Sequence, residues 1–346
     1  MDQKISRYWK TIQASLFPDF EQEVGYQTQK HGQIMVVLDV LDLDRFHMWL
    51  DFSNRGRPPR NRIAIAKAFV AKSVLNLPST VALIDRLRID KVLRRICGFE
   101  TNMRLPCEGT FSNAFAEFSR LKFPEKIHET VIKTIYSERI VGHISRDSTD
   151  ISARGKASKK KKRKKKRARG KNRRIVRQRE MSLEQMLSDL PTKLDASCKR
   201  KHSWKGFKLH LDAADSGVPI SSILTSASLH DSQAAIPLEE KTSGLVTSLY
   251  SLMDSAYDSN EIREHVSEKN KVAIIYPQKR PHQKVVLNPA EKRRYGERTT
   301  VERVYGRLKD DFGGRQVRVQ GASKVFTHLL FGILALTAEQ IVRHLS

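Results

Sequence analysis

The sequence predicts an α/β fold in which a mixed sheet flanked by helices is preceded by a helical N-terminal domain. Three observations carry this. Residues 59 to 140 read as amphipathic helices, the run after His143 reads as short β-rich segments, and beyond residue 232 strands alternate with helices.

The first helix spans residues 59 to 76, where Ile63, Ala66, Phe69, Val70 and Val74 repeat at three- and four-residue intervals after a Pro-Pro pair. Further helical stretches cover about 79 to 96 and 109 to 136, separated by the Gly98 to Pro106 connection. Upstream, QIMVVLDVLDL at 33 to 43 fits a strand or the start of a helix, because a short apolar run does not resolve the period. Three strands follow His143: GHISRDST, WKGFKLHLDAA and VPISSILTSASL, with Asp215, Ser216 and Gly217 marking a hairpin turn. Then come a short helix at 232 to 240, a strand at 247 to 253 ending on Asp254, a helix at 258 to 268 and a strand at 271 to 276. A long helix at about 289 to 312 and a last one at about 321 to 345 complete the reading. The expected domains are an N-terminal segment at 1 to 55, a helical domain at 56 to 140 and an α/β domain at 141 to 346.

A net charge of +26 on 346 residues exceeds what solubility requires and points to a polyanionic partner, with DNA, RNA and anionic membrane all qualifying. The sequence lacks a run of about 18 apolar residues and the core of a signal peptide, which leads to an expectation of a cytoplasmic protein without a membrane partner. Cys97, Cys107 and Cys198 form no CxxC pair and no disulfide framework. Cys198 and His202 stand four apart in a basic stretch, but two ligands make no zinc site, and a solvated loop is expected there.

Residues 156 to 179 carry Lys or Arg at about two thirds of their positions, so they are expected not to pack into a core. They lie inside a basic insertion at about 155 to 200, between the first two expected strands, and read as a disordered phosphate-binding loop.

On the long helix, Tyr295, Arg298, Glu302 and Lys309 stand at i, i+3, i+7 and i+14, within an arc of roughly 60° at 100° per residue. Val301, Val304, Tyr305, Leu308 and Phe312 line an adjacent arc with the spacing of a face packed on a sheet. A carboxylate flanked by a guanidinium, an ammonium and a phenol can bind a metal while its neighbours grip phosphate oxygens. Intrahelical salt bridges on a wet surface are the alternative. Asp147 and Asp254 sit at expected strand ends, where ligands of α/β folds bind, although either alone could be a turn or capping residue.

These residues resemble the insertion-sequence DDE transposases, whose catalytic domain is RNase H-like. Tyr295, Arg298, Glu302 and Lys309 reproduce the spacing of the Tyr-Arg-Glu-Lys signature. DST at 147 to 149 looks like the first acidic motif, MDSAYDS at 253 to 259 like the second, and residues 204 to 232 are similar to the strand pair between them. The segment from GRPPRNR at 56 to about 120 also looks like the N-terminal region of these proteins, so the resemblance covers most of the chain.

The resemblance implies Asp147, Asp254 and Glu302 as catalytic metal ligands for two Mg2+ or Mn2+ ions. It also implies Tyr295, Arg298 and Lys309 as contacts to the DNA backbone. The implied partners are double-stranded DNA, as terminal inverted repeats and as target, and a second copy of the chain. The activity expected from it is hydrolytic cutting at transposon ends followed by transfer of the 3′ ends to target DNA. A catalytically inactive, transposase-derived DNA-binding protein is the alternative. An RNA-binding protein would explain the lysine run but not the aspartates. Asp150 competes with Asp147, but strand alternation turns it to the other face. Asp231 is expected to cap the following helix, and Trp204 to pack.

Overall fold

The computed structural model describes residues 27–50, 61–99, 104–155, 171–199, 202–278 and 287–345. The segments 1–26, 51–60 and 156–170 lie outside them, and with them most of the expected N-terminal segment and of the lysine-rich run.

The chain divides into two compact units. The first comprises residues 1–128, 308–318 and 326–346, and the second residues 129–307 and 319–325. These divisions differ from expected boundaries at 56–140 and 141–346, because the last helix packs with the first unit. That helix is apolar around most of its circumference and needs cover on every side.

In the first unit the short run left open by its period is helical: α1 spans Gln29–Leu41, opened by a Thr28–His31 capping box. Then follow α2 (Arg62–Val74), α3 (Thr80–Ile89), α4 (Lys91–Ile96), α5 (Glu108–Arg120) and α6 (Phe123–Tyr136), the last running on into the second unit. The stretches expected as single helices at 79–96 and 109–136 are each broken. Asp90 takes an extended conformation to cap α4, accepting from Leu93 N at 2.9 Å. Lys122 adopts a left-handed φ of 52° ahead of Pro124. The core gathers Phe69, Phe115 and Phe118 around Phe331 of α13 (Ala322–Leu345), with ring centroids 5.5 to 6.2 Å from Phe331. Among the described residues α13 is the one helix long and apolar enough to cross a membrane, and it is mostly buried, as a core helix is.

The second unit is built on a six-stranded mixed sheet. Its strands are β1 (Ile140–Ser152), β2 (Asp195–Lys199), β3 (His202–Ala214), β4 (Pro219–Ser226), β5 (Thr247–Met253) and β6 (Val272–Ile275). β3 pairs antiparallel with β1 along one edge. Its other edge is shared end to end, β2 lying along residues 202–206 and β4 along 207–213. β5 and β6 continue beyond β1 in parallel. The expected mixed sheet is therefore present, with β2 as an addition. The Cys198 region, expected as a loop, is the edge hairpin of β2 and β3, and Cys198 is exposed there.

Two glycines make this sheet possible. Gly206 lies where β3 passes from one edge partner to the next, and a Cβ there would stand 1.9 Å from the Ile151 carbonyl. Gly217, at φ 77°, closes the β3–β4 hairpin by donating its N–H to Ala214 O.

Helices cover the sheet. α7 (Lys171–Gln178) and α8 (Leu183–Asp189) arise from the segment expected as an unstructured basic loop. α7 folds because Ile175 enters a core with Met186, Ile236, Met253 and Ile262. Its cations find partners: Arg174 and Arg177 both pair with Asp189. α9 (Ala235–Ser243) and α10 (Asn260–Glu268) follow β4 and β5.

The long helix expected at 289–312 is two helices, α11 (Pro289–Tyr295) and α12 (Thr299–Asp310), joined by a tight turn at Gly296–Arg298. Gly296 weakens the helix there, and Thr299 Oγ1 donates to Gly296 O at 3.2 Å to hold the tighter turn. Tyr295, Gly296 and Thr299 keep right-handed helical angles there.

Candidate active site

Asp147 was expected at a strand end, yet β1 continues to Ser152. What ends near Asp147 is its neighbour. The parallel pairing of β1 with β5 runs to Ser145↔Leu252, and β5 stops at Met253. Continuing that offset sets Asp147 beside Asp254, and because alternate residues share a face, the two side chains leave the sheet on the same side. On the opposite edge Asp147 pairs with Leu211 of β3. Asp254 caps the turn Ser255–Tyr257, its carboxylate accepting from Ala256 N at 2.9 Å. The capping and ledge roles thus coincide in one residue.

The α11–α12 junction lies over this ledge. Ser145 Oγ donates to Glu297 O at 3.1 Å, and Tyr305 on α12 donates to the carbonyls of Asp147 and Leu209 at 2.7 and 3.1 Å. Arg298 Nη1 then meets Asp147 Oδ2 at 3.2 Å while Nη2 meets Glu302 Oε1 at 2.5 Å. Burial opposes the Arg298 charge, but Tyr295, Asp147, Glu302 and Asp254 hold its ionisation above the ordinary arginine range. Tyr295 lies under the same guanidinium, 5.7 Å from its ring centroid, and stacks obliquely on Tyr276 at 5.5 Å. Burial, together with Asp254 and Asp147, raises the Tyr295 phenol, against the pull of Arg298.

The expected residues therefore divide. Asp147, Asp254, Tyr295, Arg298 and Glu302 belong to one neighbourhood. Lys309 is on the last turn of α12, which groups with the first unit, and is half-buried. Asp150 alternates away from Asp147, paired in register with Lys208. Trp204 packs, its indole N–H reaching Phe207 O at 3.4 Å.

Asp231 does not cap a helix. It begins a turn, Asp231–Ala234, in which His230 occupies the cap position with its Nδ1 on Ser232 Oγ at 2.8 Å and not on a backbone N–H. Its carboxylate instead accepts from Lys208 Nζ at 2.8 Å and from Ser148, the residue after Asp147.

The largest feature hidden from sequence reasoning lies beside Asp147. Arg146 is 0 % exposed and forks onto Asp212 at 2.8 and 2.6 Å, and it also reaches Glu239 at 2.8 Å. Lys271 Nζ meets the other Glu239 oxygen at 2.8 Å. Burial works against the Glu239 charge, but Arg146 and Lys271 overcome it and hold the carboxyl down to about 2. This buried cluster joins β1, β3, α9 and the start of β6, fixing the strand that presents Asp147. Period-two alternation with Asp147 was the available signal, since it turns Arg146 to the covered face.

Hard oxygen donors such as Asp147, Asp254 and Glu302 suit magnesium or manganese. In this conformation Arg298 bridges two of them, and among the described residues no three His, Cys, Asp or Glu converge at metal-ligating spacing. The donor chemistry fits a divalent cation, with Arg298 as its competitor for Asp147 and Glu302.

Residues 142–338 match a family model described as Transposase DDE domain. The chain belongs to the DDE transposase family. Residues 25–117 match a second, described as Transposase domain (DUF772), which covers α1 to most of α5. No curated protein matches the chain. The mixed sheet of this transposase is accordingly the RNase H-like domain of the family, preceded by a helical region, as the resemblance implied. The family is typically catalytic for DNA cleavage and transfer, and it implies DNA binding and divalent-metal use.

Proposed function

We propose that this chain is an insertion-sequence transposase that binds transposon ends, cuts them hydrolytically and transfers the 3′ ends to target DNA. The observation that carries the reading is the ledge where Asp147 and Asp254 stand side by side, with Glu302 tied to Asp147 through Arg298. Asp147, Asp254 and Glu302 are the residues that would hold two magnesium or manganese ions, whose chemistry is to activate water and stabilise the leaving oxygen.

The chain's own groups do the rest. β1 and β5 present two carboxylates on rigid backbone, which limits the reorganisation needed when DNA arrives. Arg298 exchanges its carboxylate partners for phosphate oxygens, and Tyr295 and Lys309 add contacts to the same backbone. Water attacks phosphorus, the bond to the 3′ oxygen breaks, and the freed 3′-hydroxyl later attacks target DNA, so no side chain becomes covalently attached. Two copies of the chain would bring two ends together.

The Arg298 bridge also favours a second reading, an inactive descendant that binds DNA with its acidic residues neutralised. Glu302→Gln separates the two. The expected result is complete loss of magnesium-dependent cutting of a duplex carrying the element's ends, with end binding retained. Cutting by the variant at the wild-type rate sinks the triad, and a wild-type chain that never cuts supports the inactive descendant.

A further inference from the structure

Arg294 stands four residues before Arg298, and both side chains reach down to β1. Arg294 Nη1 lies 3.5 Å from His143 Nε2, Ser145 Oγ donates to Glu297 O at 3.1 Å, and Arg298 Nη1 meets Asp147 Oδ2 at 3.2 Å. The order 294, 297, 298 therefore follows the order 143, 145, 147, so the α11–α12 junction runs along the strand on the face that carries Asp147. β5 adds to that face. Tyr250 pairs in register with His143, and alternation sets it on the same side as Asp254.

The Arg294 guanidinium rests on rings. Its Cζ lies 4.2 Å from the Tyr250 ring centroid, and the His143 ring stacks on the same tyrosine with centroids 5.2 Å apart and planes 23° from parallel. Asp215 lies 3.8 Å from Nδ1 of His143, which leaves Nε2 facing the arginine. Among the described residues no carboxylate pairs with Arg294, and of its five N–H donors those on Nη1 alone face a side-chain acceptor, at the long end of hydrogen-bond range. An aromatic floor thus fixes the plane of the guanidinium and leaves its edge to take an oxyanion. Lys292 and Arg293 on the same turn are exposed and strengthen the positive field there. Arg298, by contrast, must release Asp147 and Glu302 before it can bind a phosphate.

We propose that Arg294, seated on Tyr250 and His143, is a second anchor for the DNA backbone, taking a phosphate about four nucleotides from the bond that is cut. This rests on the transposase reading above. The spacing comes from β1: His143 stands four residues before Asp147, about 13 Å at about 3.3 Å per residue, and DNA advances about 3.4 Å per nucleotide. Arg298 holds the DNA strand beside the carboxylates and Arg294 sets its direction across the sheet, since one contact fixes a point and two fix a line.

The test is a scan of a duplex carrying the element's end, with single phosphates replaced one at a time by uncharged methylphosphonates. Binding by the full chain and by its Arg294→Ala variant is read by fluorescence anisotropy in EDTA. Wild-type affinity is expected to fall about tenfold at one phosphate about three to five nucleotides from the cut, the equivalent of one hydrogen bond to a charged group. Arg294→Ala should bind the unmodified duplex weaker by about the same factor and lose nothing further from the replacement at that position. Its slope of log affinity against log salt should shrink by about 0.9. A wild-type scan with no sensitive phosphate in that interval overturns the proposal, whether or not the variant folds. So does a variant that melts below wild type yet stays fully sensitive at that phosphate, which would mean that Arg294 only fastens α11 to the sheet. Failure of the transposase reading shows separately: the wild-type chain then binds the end duplex no better than one of scrambled sequence and cuts neither in magnesium.

Discussion

Tyr305 donates its hydroxyl to the backbone carbonyl of Asp147 at 2.7 Å, so the helix carrying Glu302 is pinned to the strand carrying the first aspartate. Tyr305→Phe removes this tie and the weaker one to Leu209. Loss of about 1–2 kcal/mol is expected from the urea midpoint, with cleavage falling as α12 loosens over the sheet. An unchanged midpoint would show that the tie contributes nothing.

Asp254 combines a cap with a charge, and substitution can separate them. Asn caps nearly as well as Asp, so Asp254→Asn should melt like the wild type while losing magnesium-dependent cleavage. Asp254→Ala loses the cap as well and should be destabilised by about 1 kcal/mol. If the Asn variant still cuts, the charge is not required.

The buried cluster under Asp147 predicts a larger effect. Glu239→Gln leaves Arg146 and Lys271 short of a negative charge in the interior, and breaking such a cluster costs about 3–5 kcal/mol. Because the folded state holds Glu239 at about 2, below its ordinary 4.5, its contribution is complete above pH 4.5. That contribution declines as pH falls and is gone below about 2. Denaturation of wild type and variant should therefore converge as pH drops through that window.

A second acid window belongs to histidine. Burial lowers His210 to about 4 from 6.5, and His328 in the first unit likewise, its effect reinforced by Lys72. Both are neutral when folded and take up a proton more readily when unfolded. Their contribution is full above 6.5, falls with decreasing pH and is lost below about 4. Each adds a slope of about 1.4 kcal/mol per pH unit inside the window. His210→Gln should flatten the dependence for the second unit and His328→Gln for the first, as hydrogen exchange at each pH can resolve.

The Arg298 ion pairs predict little for stability. Glu302 is 52 % exposed, so solvent screens the shorter pair, and Arg298→Ala should cost less than about 1 kcal/mol. End binding should weaken and lose part of its salt dependence, because a phosphate contact has gone. Unchanged salt dependence would place Arg298 away from the DNA.

Much of this fold was legible because the second unit writes its strands plainly. Alternation and turn residues located β1, β3, β4 and β5, and Asp254 follows directly from where β5 stops. Asp147 was read as a strand end and lies within β1 instead, since a strand's reach depends on its partners and β3 extends β1 beyond β5. The break at Gly296 was hidden because glycine in a helical pattern costs only about 1 kcal/mol, too little to forecast a change of turn. β2, α7 and α8 were hidden by composition. A stretch rich in cations reads as solvated until Asp189, Glu264 and Glu268 are seen to pair with Arg174, Arg177 and Arg179. Asp231 read as a cap because its partner Lys208 lies on β3, distant in sequence.

Phe331 belongs to the aromatic core of the unit that begins the chain, while the whole second unit lies between it and α2. On the ribosome, therefore, the first unit emerges with an unfilled cavity and stays incomplete until the sheet unit has been made. A nascent chain cannot acquire a finished helical unit ahead of the acidic ledge: translation delivers the two together or delivers neither.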